Sequence, residues 1–158
     1  MPNQVDLTAI LKKIPWFLDL SPTSLTRLAN LAKISNFQIN QIIFQEGEQD
    51  PHLYVILEGK VLLESYVPGH GPLPYCTVES LDVIGCSSLT PVVRQKTSTA
   101  RVLDRTTLLT FPAERLMALC DADCELGYII MRRLANIVAS RMLNHRLQLL
   151  RLLTAQKP

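Results

Sequence analysis

The segment GEQDPHLYVILEGKV, Gly47 to Val61, decides the fold of this 158-residue chain. Its two glycines suit turns that need a positive φ, and the residues between them are rich in β-formers. The pattern predicts a strand from His52 to Leu57, a tight turn at Glu58-Gly59 and a partner strand from Lys60. We therefore expect a β-hairpin over Leu53 to Val67.

Further short β-forming runs lie on both sides of this segment. They cover Phe37 to Phe44, Tyr75 to Val78, Ser98 to Leu103 and Thr107 to Phe111. The segment Pro68 to Pro74 is rich in Pro and Gly, and we expect it to bulge into solvent as a loop. Short strands at this spacing predict a β-roll over residues 37–111.

The ends of the chain have helical periodicity. Apolar residues at helical spacing and the Ser21-Pro22 start signal predict helices within residues 1–36. Residues 112–158 predict a helix from Ala113 to Cys120 and a long helix from Cys124 to about Leu153. We therefore expect a single domain over residues 1–158, of the α+β class, with a mainly-β core flanked by helices.

Composition excludes several function classes. Apolar residues make up 47% of the chain and the net charge is only +2, so no nucleic-acid surface is predicted. We find no apolar run long enough to span a membrane and no secretion signal, which favours a cytoplasmic protein. Cys120 and Cys124 lack the further ligands of a metal site, so we expect none. No nucleophile and base are paired, so we expect no enzyme.

The order of helices, short strands and a long final helix resembles the cyclic-nucleotide-binding domain of the catabolite activator protein (Crp/Fnr-like) superfamily. The segment Gly47 to Val61 has both glycines of that family's early signature, with aromatic and aliphatic positions between them. The resemblance implies a double-stranded β-helix, a jelly-roll-like β-roll, flanked by N-terminal helices and a long C-terminal helix. A cupin is the alternative roll, but it would need clustered histidines, and His52, His70 and His145 are scattered.

The resemblance also implies a phosphate-binding cassette at residues 82–100. We expect ligand contacts from Gly85, Cys86, Ser87, Ser88, Arg94, Lys96, Ser98 and Thr99. Gly85 followed by a helical turn would present backbone N–H groups to an anion, and the hydroxyls would add donors. Serine and threonine are also common turn formers, so the hydroxyl positions have a structural alternative.

Two cassette positions depart from the family pattern. Cys86 stands where the family has a glutamate that accepts a hydrogen bond from the ribose, and cysteine is a poor acceptor. Lys96 stands where the family has an arginine, and lysine lacks the planar two-donor fork; Arg94 is the alternative cation. We therefore expect weak binding of cyclic AMP, cyclic GMP or another small anion. A thiol beside a helix start also suggests redox sensing by Cys86.

The long final helix has a heptad pattern. Its seam residues are Met131, Ala135, Val138, Met142, His145, Leu149 and Leu152. A second stripe, Leu126, Ile130, Leu134, Ile137, Leu147 and Leu150, would dock on the β-roll. We predict that the seam forms a two-fold homodimer interface, although ordinary core packing would also explain a seam of this length.

The predicted function is a sensor or adaptor with a degenerate cassette that signals through protein contacts. The alternative is an interaction module that has lost its ligand, or a redox sensor. Only Thr154 to Pro158 follow the predicted helix, so we expect no DNA-reading domain and no direct DNA binding. A protein effector and a second copy of the chain are the expected partners.

Overall fold

The computed structural model describes residues 6–155. Within this range four α-helices and six strands follow one another along the chain. The helices are α1 (Leu7–Leu11), α2 (Pro22–Leu31), α3 (Ala113–Ala122) and α4 (Cys124–Ala155), and the strands are β1 (Lys33–Phe37), β2 (Ile42–Phe44), β3 (His52–Val67), β4 (Gly71–Glu79), β5 (Val83–Ile84) and β6 (Thr99–Pro112). The predicted α+β class, with helices on both sides of the strands and a long final helix, is confirmed.

The predicted hairpin at Glu58-Gly59 is wrong. Residues 52–67 form the single strand β3, which pairs antiparallel with β6 over nearly its whole length. Gly59 has a φ of 106° and lies where the β3–β6 register shifts, so it forms an irregularity within a bent strand and not a chain reversal. The separate strands expected at 98–103 and 107–111 are likewise one strand, β6. Long-range pairing therefore joined runs that look short in the sequence.

Two other boundaries differ from the sequence prediction. Strand β1 begins at Lys33, because residues 33–37 pair with the far half of β6. The chain reversal after β3 is short, and Gly71 to Pro74 already belong to β4, paired with residues 64–67. Pro72 and Pro74 fit there because β4 ends the strand order β1-β6-β3-β4, and an edge strand tolerates missing N–H donors.

The core has two parts. Inside the roll, one cluster of buried residues comprises Phe44, Tyr54, Ile56, Val61, Leu63, Val78, Ile84, Ala100 and Leu108. A larger cluster lies between the sheet and the helices and includes Leu53, Val55, Leu109 and Phe111 from the strands. Alternate residues of β3 and β6 therefore face different clusters, as the two-residue period of a strand requires.

The N-terminal half of α4 packs on the domain through buried apolar residues, whereas its C-terminal half meets the roll through the half-buried Arg141, His145 and Gln148 and ends in exposed turns. Leu126, Ile129, Ile130 and Leu134 are buried, whereas residues 149–155 are exposed. The start of the helix is fixed by Asp123, whose carboxylate accepts hydrogen bonds from the backbone N–H of Leu126 and the hydroxyl of Ser24. None of the helices in residues 6–155 is long and apolar enough to cross a membrane.

Candidate functional site

A cavity of about 350 Å³ lies between the cassette segment, the inside of the roll and α4. Phe44, Leu63 and Tyr75 form its wall on the roll, and Ile137, Val138, Arg141, Met142 and His145 line it from α4. Five of the predicted ligand residues also line it: Gly85, Cys86, Ser87, Lys96 and Ser98. We call this space the cassette cavity.

The structure does not bring the other three predicted ligand residues into the cassette cavity. Thr99 accepts a hydrogen bond from the Glu46 N–H at 3.0 Å and lies on another face of the roll. Ser88 donates to the Gly85 carbonyl at 2.8 Å, and Arg94 is exposed beside a separate groove next to α3. Ser88 and Thr99 thus stabilise turns, which is a common role of serine and threonine hydroxyls.

Gly85 has a left-handed backbone conformation, and the neighbouring residues leave no room there for a side chain. Its φ is 79°, and a Cβ there would lie 2.8 Å from the His52 carbonyl oxygen and 2.9 Å from Lys96 Nζ. The predicted helical turn follows as a 3-10 turn, Cys86–Leu89. Four residues of 3-10 helix carry little dipole, so the expected anion site at a helix start is weak.

Lys96 lines the cavity, but its ammonium is already occupied by protein oxygens. Nζ donates to the carbonyl oxygens of His52 at 2.8 Å and Gly85 at 3.1 Å, and it lies 3.7 Å from Asp50 Oδ2. The side chain is 1% exposed, and its burial lowers the pKa of Lys96 while Asp50 opposes that effect. These contacts make Lys96 a clamp between β3 and the cassette, and they do not favour the predicted phosphate contact.

Asp50 holds the other end of this network. Its carboxylate accepts a hydrogen bond from the Tyr54 hydroxyl at 2.7 Å and lies 2.7 Å from His52 Nδ1. Lys96 Nζ also stands over the Phe44 ring, 5.0 Å from its centroid. The network therefore joins β2, β3 and the cassette through one buried charge pair.

Cys86 is buried at the junction of the cassette and α4. It is 7% exposed, and this burial raises the pKa of its thiol, although the nearby Arg141 has the opposite effect. Arg141 Nη1 lies 3.8 Å from the sulfur. A buried, protonated thiol reacts slowly with oxidants, so this environment does not favour the redox alternative.

Residues of α4 reach the cavity through the stripe that faces the roll. Arg141 donates to the backbone carbonyl of Val83, and the His145 ring packs on Tyr75 with 3.8 Å between ring centroids. Burial lowers the pKa of His145, and the charge of Arg141 adds to that effect. At neutral pH the imidazole is therefore uncharged, and Arg141 is the charged group that α4 contributes.

The predicted division of α4 into a dimer seam and a docking stripe is only partly seen. His145, assigned to the seam, faces the roll, and Met131 is half-buried against the domain. Leu147 and Leu150, assigned to the docking stripe, are 44% and 47% exposed. The remaining seam residues are exposed: Ala135, Val138, Met142, Leu149 and Leu152. The docking stripe continues instead through Arg141, His145 and Gln148, which are half-buried.

Sequence reasoning missed Arg141. The signal was present, because Arg141 follows Leu134 by seven residues and Ile137 by four, which places it on the face that docks on the roll. An arginine that interrupts an apolar stripe must reach a polar partner or a cavity.

Among residues 6–155 no cluster of three or more His, Cys, Asp or Glu side chains could hold a metal ion.

Comparison with solved structures shows the same fold in other proteins. A cyclic nucleotide-binding domain from Methylobacillus flagellatus KT has a TM-score of 0.76 at 20% identity, over 96% of this chain and 83% of that one. The catabolite activator protein of Thermus thermophilus has a TM-score of 0.71 at 22% identity, over 87% of this chain and 62% of that one. These likenesses confirm the jelly-roll-like β-roll.

A third similar structure comes from a kinase. It is the regulatory subunit of a cAMP-independent protein kinase A from Trypanosoma brucei, solved as a mutant bound to cyclic AMP. Its TM-score is 0.76 at 18% identity, over 93% of this chain and 50% of that one.

The family model described as the cyclic nucleotide-binding domain matches residues 34–123. That range begins at the second residue of β1 and ends at Asp123, so it contains nearly the whole roll, the cassette and α3. It covers more than half of the sequence. We therefore conclude that the chain belongs to the cyclic nucleotide-binding domain family.

Proposed function

We propose that residues 1–158 act as one regulatory sensor domain, which binds a small anion in the cassette cavity and passes the signal to a partner through α4. The observation that carries this proposal is the position of the cavity, which has the cassette on one side and α4 on the other. A ligand there touches both, so binding can change how α4 sits on the roll. The trypanosomal neighbour, bound to cyclic AMP, supports a cyclic nucleotide as the first ligand to test.

Cyclic AMP is expected to bind weakly, with a dissociation constant on the order of 100 µM or higher. Cys86 offers no carboxylate to the ribose, and Lys96 is committed to Asp50 and two carbonyl oxygens. Cyclic GMP shares the ribose and the cyclic phosphate, so it should also bind weakly. The measurement is a titration with each nucleotide followed by backbone amide chemical shifts.

Saturable shifts at Cys86, Ser87 and Ser98 would support the proposal, and adenosine provides the uncharged control. Sub-micromolar binding would refute the argument from the two altered cassette positions. If neither nucleotide causes a saturable shift up to about 10 mM, the cyclic-nucleotide proposal fails. The chain would then be better described as an interaction module.

We further propose that α4 pairs with α4 of a second copy. The helix has 32 residues, about 48 Å at the usual rise, and its last turns extend past the roll. Met142 and Leu149 on the seam are 69% and 56% exposed, an unfavourable environment for large apolar side chains. The self-complementary heptad spacing favours an identical helix as the partner, related by a two-fold axis.

Leu149→Asp should convert a dimer to a monomer, because it places like charges opposite each other in an apolar seam. Leu149 does not line the cassette cavity, so this change separates association from ligand binding. Sedimentation velocity at tens of micromolar is the measurement. The control is Ser140→Asp, since Ser140 is exposed and lies nine residues away, on the opposite side of the helix. A monomeric wild-type protein, or a Leu149→Asp dimer as stable as the wild type, would contradict the seam.

A further inference from the structure

We propose that Arg141 supplies the positive charge that binds an oxyanion, a phosphate or a carboxylate, in the cassette cavity, and that the Val83 carbonyl is its partner until the ligand enters. This inference rests on the proposed function, because it assigns the ligand class and the binding residue of the same cavity. It moves the charge of the site from the cassette to α4.

The cavity lining includes no carboxylate, and its positive charges are not equivalent. The ammonium of Lys96 is paired with Asp50 and buried behind the cassette turn. His145 is uncharged at neutral pH, because burial lowers its pKa. Arg141 contributes a guanidinium group, which is a permanent cation in proteins. Of the cationic residues that line the cavity, Arg141 is therefore the one without a carboxylate partner within residues 6–155.

The present partners of Arg141 are neutral. They are the backbone carbonyl of Val83 and the sulfur of Cys86, 3.8 Å from Nη1. Burial raises the pKa of the Cys86 thiol, so the sulfur is a weak, uncharged acceptor. An oxyanion offers the guanidinium two charged acceptors in a geometry that matches its planar fork. In its apolar surroundings the charge of Arg141 has no opposite charge beside it. An oxyanion that replaces the Val83 carbonyl would supply that opposite charge.

The rest of the cavity defines the body of the ligand. Phe44 and Leu63 on the roll and Ile137 and Met142 on α4 present apolar surface, while Ser87 and Ser98 provide hydroxyls from the cassette. A small anion with an apolar body fits this lining better than a bare ion would. Because Arg141 belongs to α4 and Ser87 to the cassette, such a ligand would bridge the helix and the roll.

The test uses the full chain, cyclic AMP and Arg141→Gln, with Arg146→Gln as the matched control because Arg146 is an exposed arginine on the same helix. Arg141→Gln should weaken binding by about tenfold or more, the usual effect of losing a hydrogen bond to a charged group. Arg141→Lys should fall between Gln and wild type, because it keeps the charge but loses the fork. Arg146→Gln should stay within about twofold of wild type, since its charge is screened by solvent. Thermal melts check that each variant is folded.

Binding that Arg141→Gln leaves within about twofold of wild type would overturn the inference and leave the proposed function intact. If cyclic AMP and cyclic GMP do not bind the wild type, the cyclic-nucleotide proposal fails, and sodium phosphate then decides the inference separately. A saturable shift of the Arg141 Nε–Hε resonance with phosphate, absent with sodium chloride at equal ionic strength, would support it. The same resonance unmoved by phosphate would refute it.

Discussion

Gly59→Ala is expected to lower the free energy of unfolding by about 3 kcal/mol or more, from the left-handed backbone and overpacking together. The φ of Gly59 is 106°, and a Cβ built there would lie 2.4 Å from Thr106 Oγ1, 2.5 Å from the Arg105 carbonyl oxygen and 2.7 Å from Thr106 Cα. Two of these atoms belong to the backbone of β6. The strands must therefore move apart at the centre of the longest pairing in the sheet, and urea denaturation measures the loss.

Gly69→Ala is the matched control for this effect. Gly69 has a φ of 82°, yet a Cβ there meets nothing within 4 Å. Only the backbone term applies, so its loss should be about 1–2 kcal/mol. Thr106→Ala should not rescue Gly59→Ala, because the Arg105 oxygen remains in place. If the two glycine variants lose the same stability, the clash with β6 is not the cause.

Asp50→Ala is the second large change, with an expected loss of about 3 kcal/mol or more, because it leaves a buried ammonium without its carboxylate. It also removes the acceptor of the Tyr54 hydroxyl, which lies 2.7 Å from Asp50 Oδ2. Lys96 is held 1% exposed by the cassette and cannot easily reach water. Urea denaturation of wild type and variant is the measurement, and amide shifts at Gly85 would report whether the cassette turn has loosened.

The Lys60–Glu79 pair tests whether burial or distance determines how much an ion pair contributes to stability. Its atoms are closer, at 2.9 Å, but both side chains are exposed. Glu79→Ala should therefore leave the urea midpoint nearly unchanged, since water screens a surface pair. Lys96→Met added to Asp50→Ala should cost less than the sum of the two single changes, because it removes the unpaired charge. Additive losses would show that Lys96 and Asp50 act independently.

Local sequence patterns predicted the elements better than their boundaries. The helices α3 and α4 begin at Ala113 and Cys124, as predicted, since helical periodicity depends on neighbours a few residues away. At Gly59 the local sequence pattern predicts the wrong structure. A glycine between two β-forming runs predicts a turn, but here the β6 backbone lies against it and the chain continues as one bent strand.

The cassette shows the same division within a functional site. The family resemblance located the segment, and five of its eight predicted residues line the cavity. It did not show that Ser88 and Thr99 would stabilise turns or that Arg94 would lie in another groove. A frame of glycines and hydroxyls specifies a backbone path. The direction of each side chain depends on the elements that pack against that path.

By itself the sequence determined the α+β class and the run of strands with helices on both sides, because periodicity and turn chemistry act over short distances. The position of the cassette came from the resemblance to a known family. Only the tertiary structure decided which cation faces the cavity. Lys96 meets Asp50 across 46 positions of sequence, and Arg141 meets Val83 across 58. Such partners are chosen by the register of β3 on β6 and by the docking of α4 on the roll. The helical spacing places Arg141 on the docking face of α4, but no local pattern specifies the partner that it meets there.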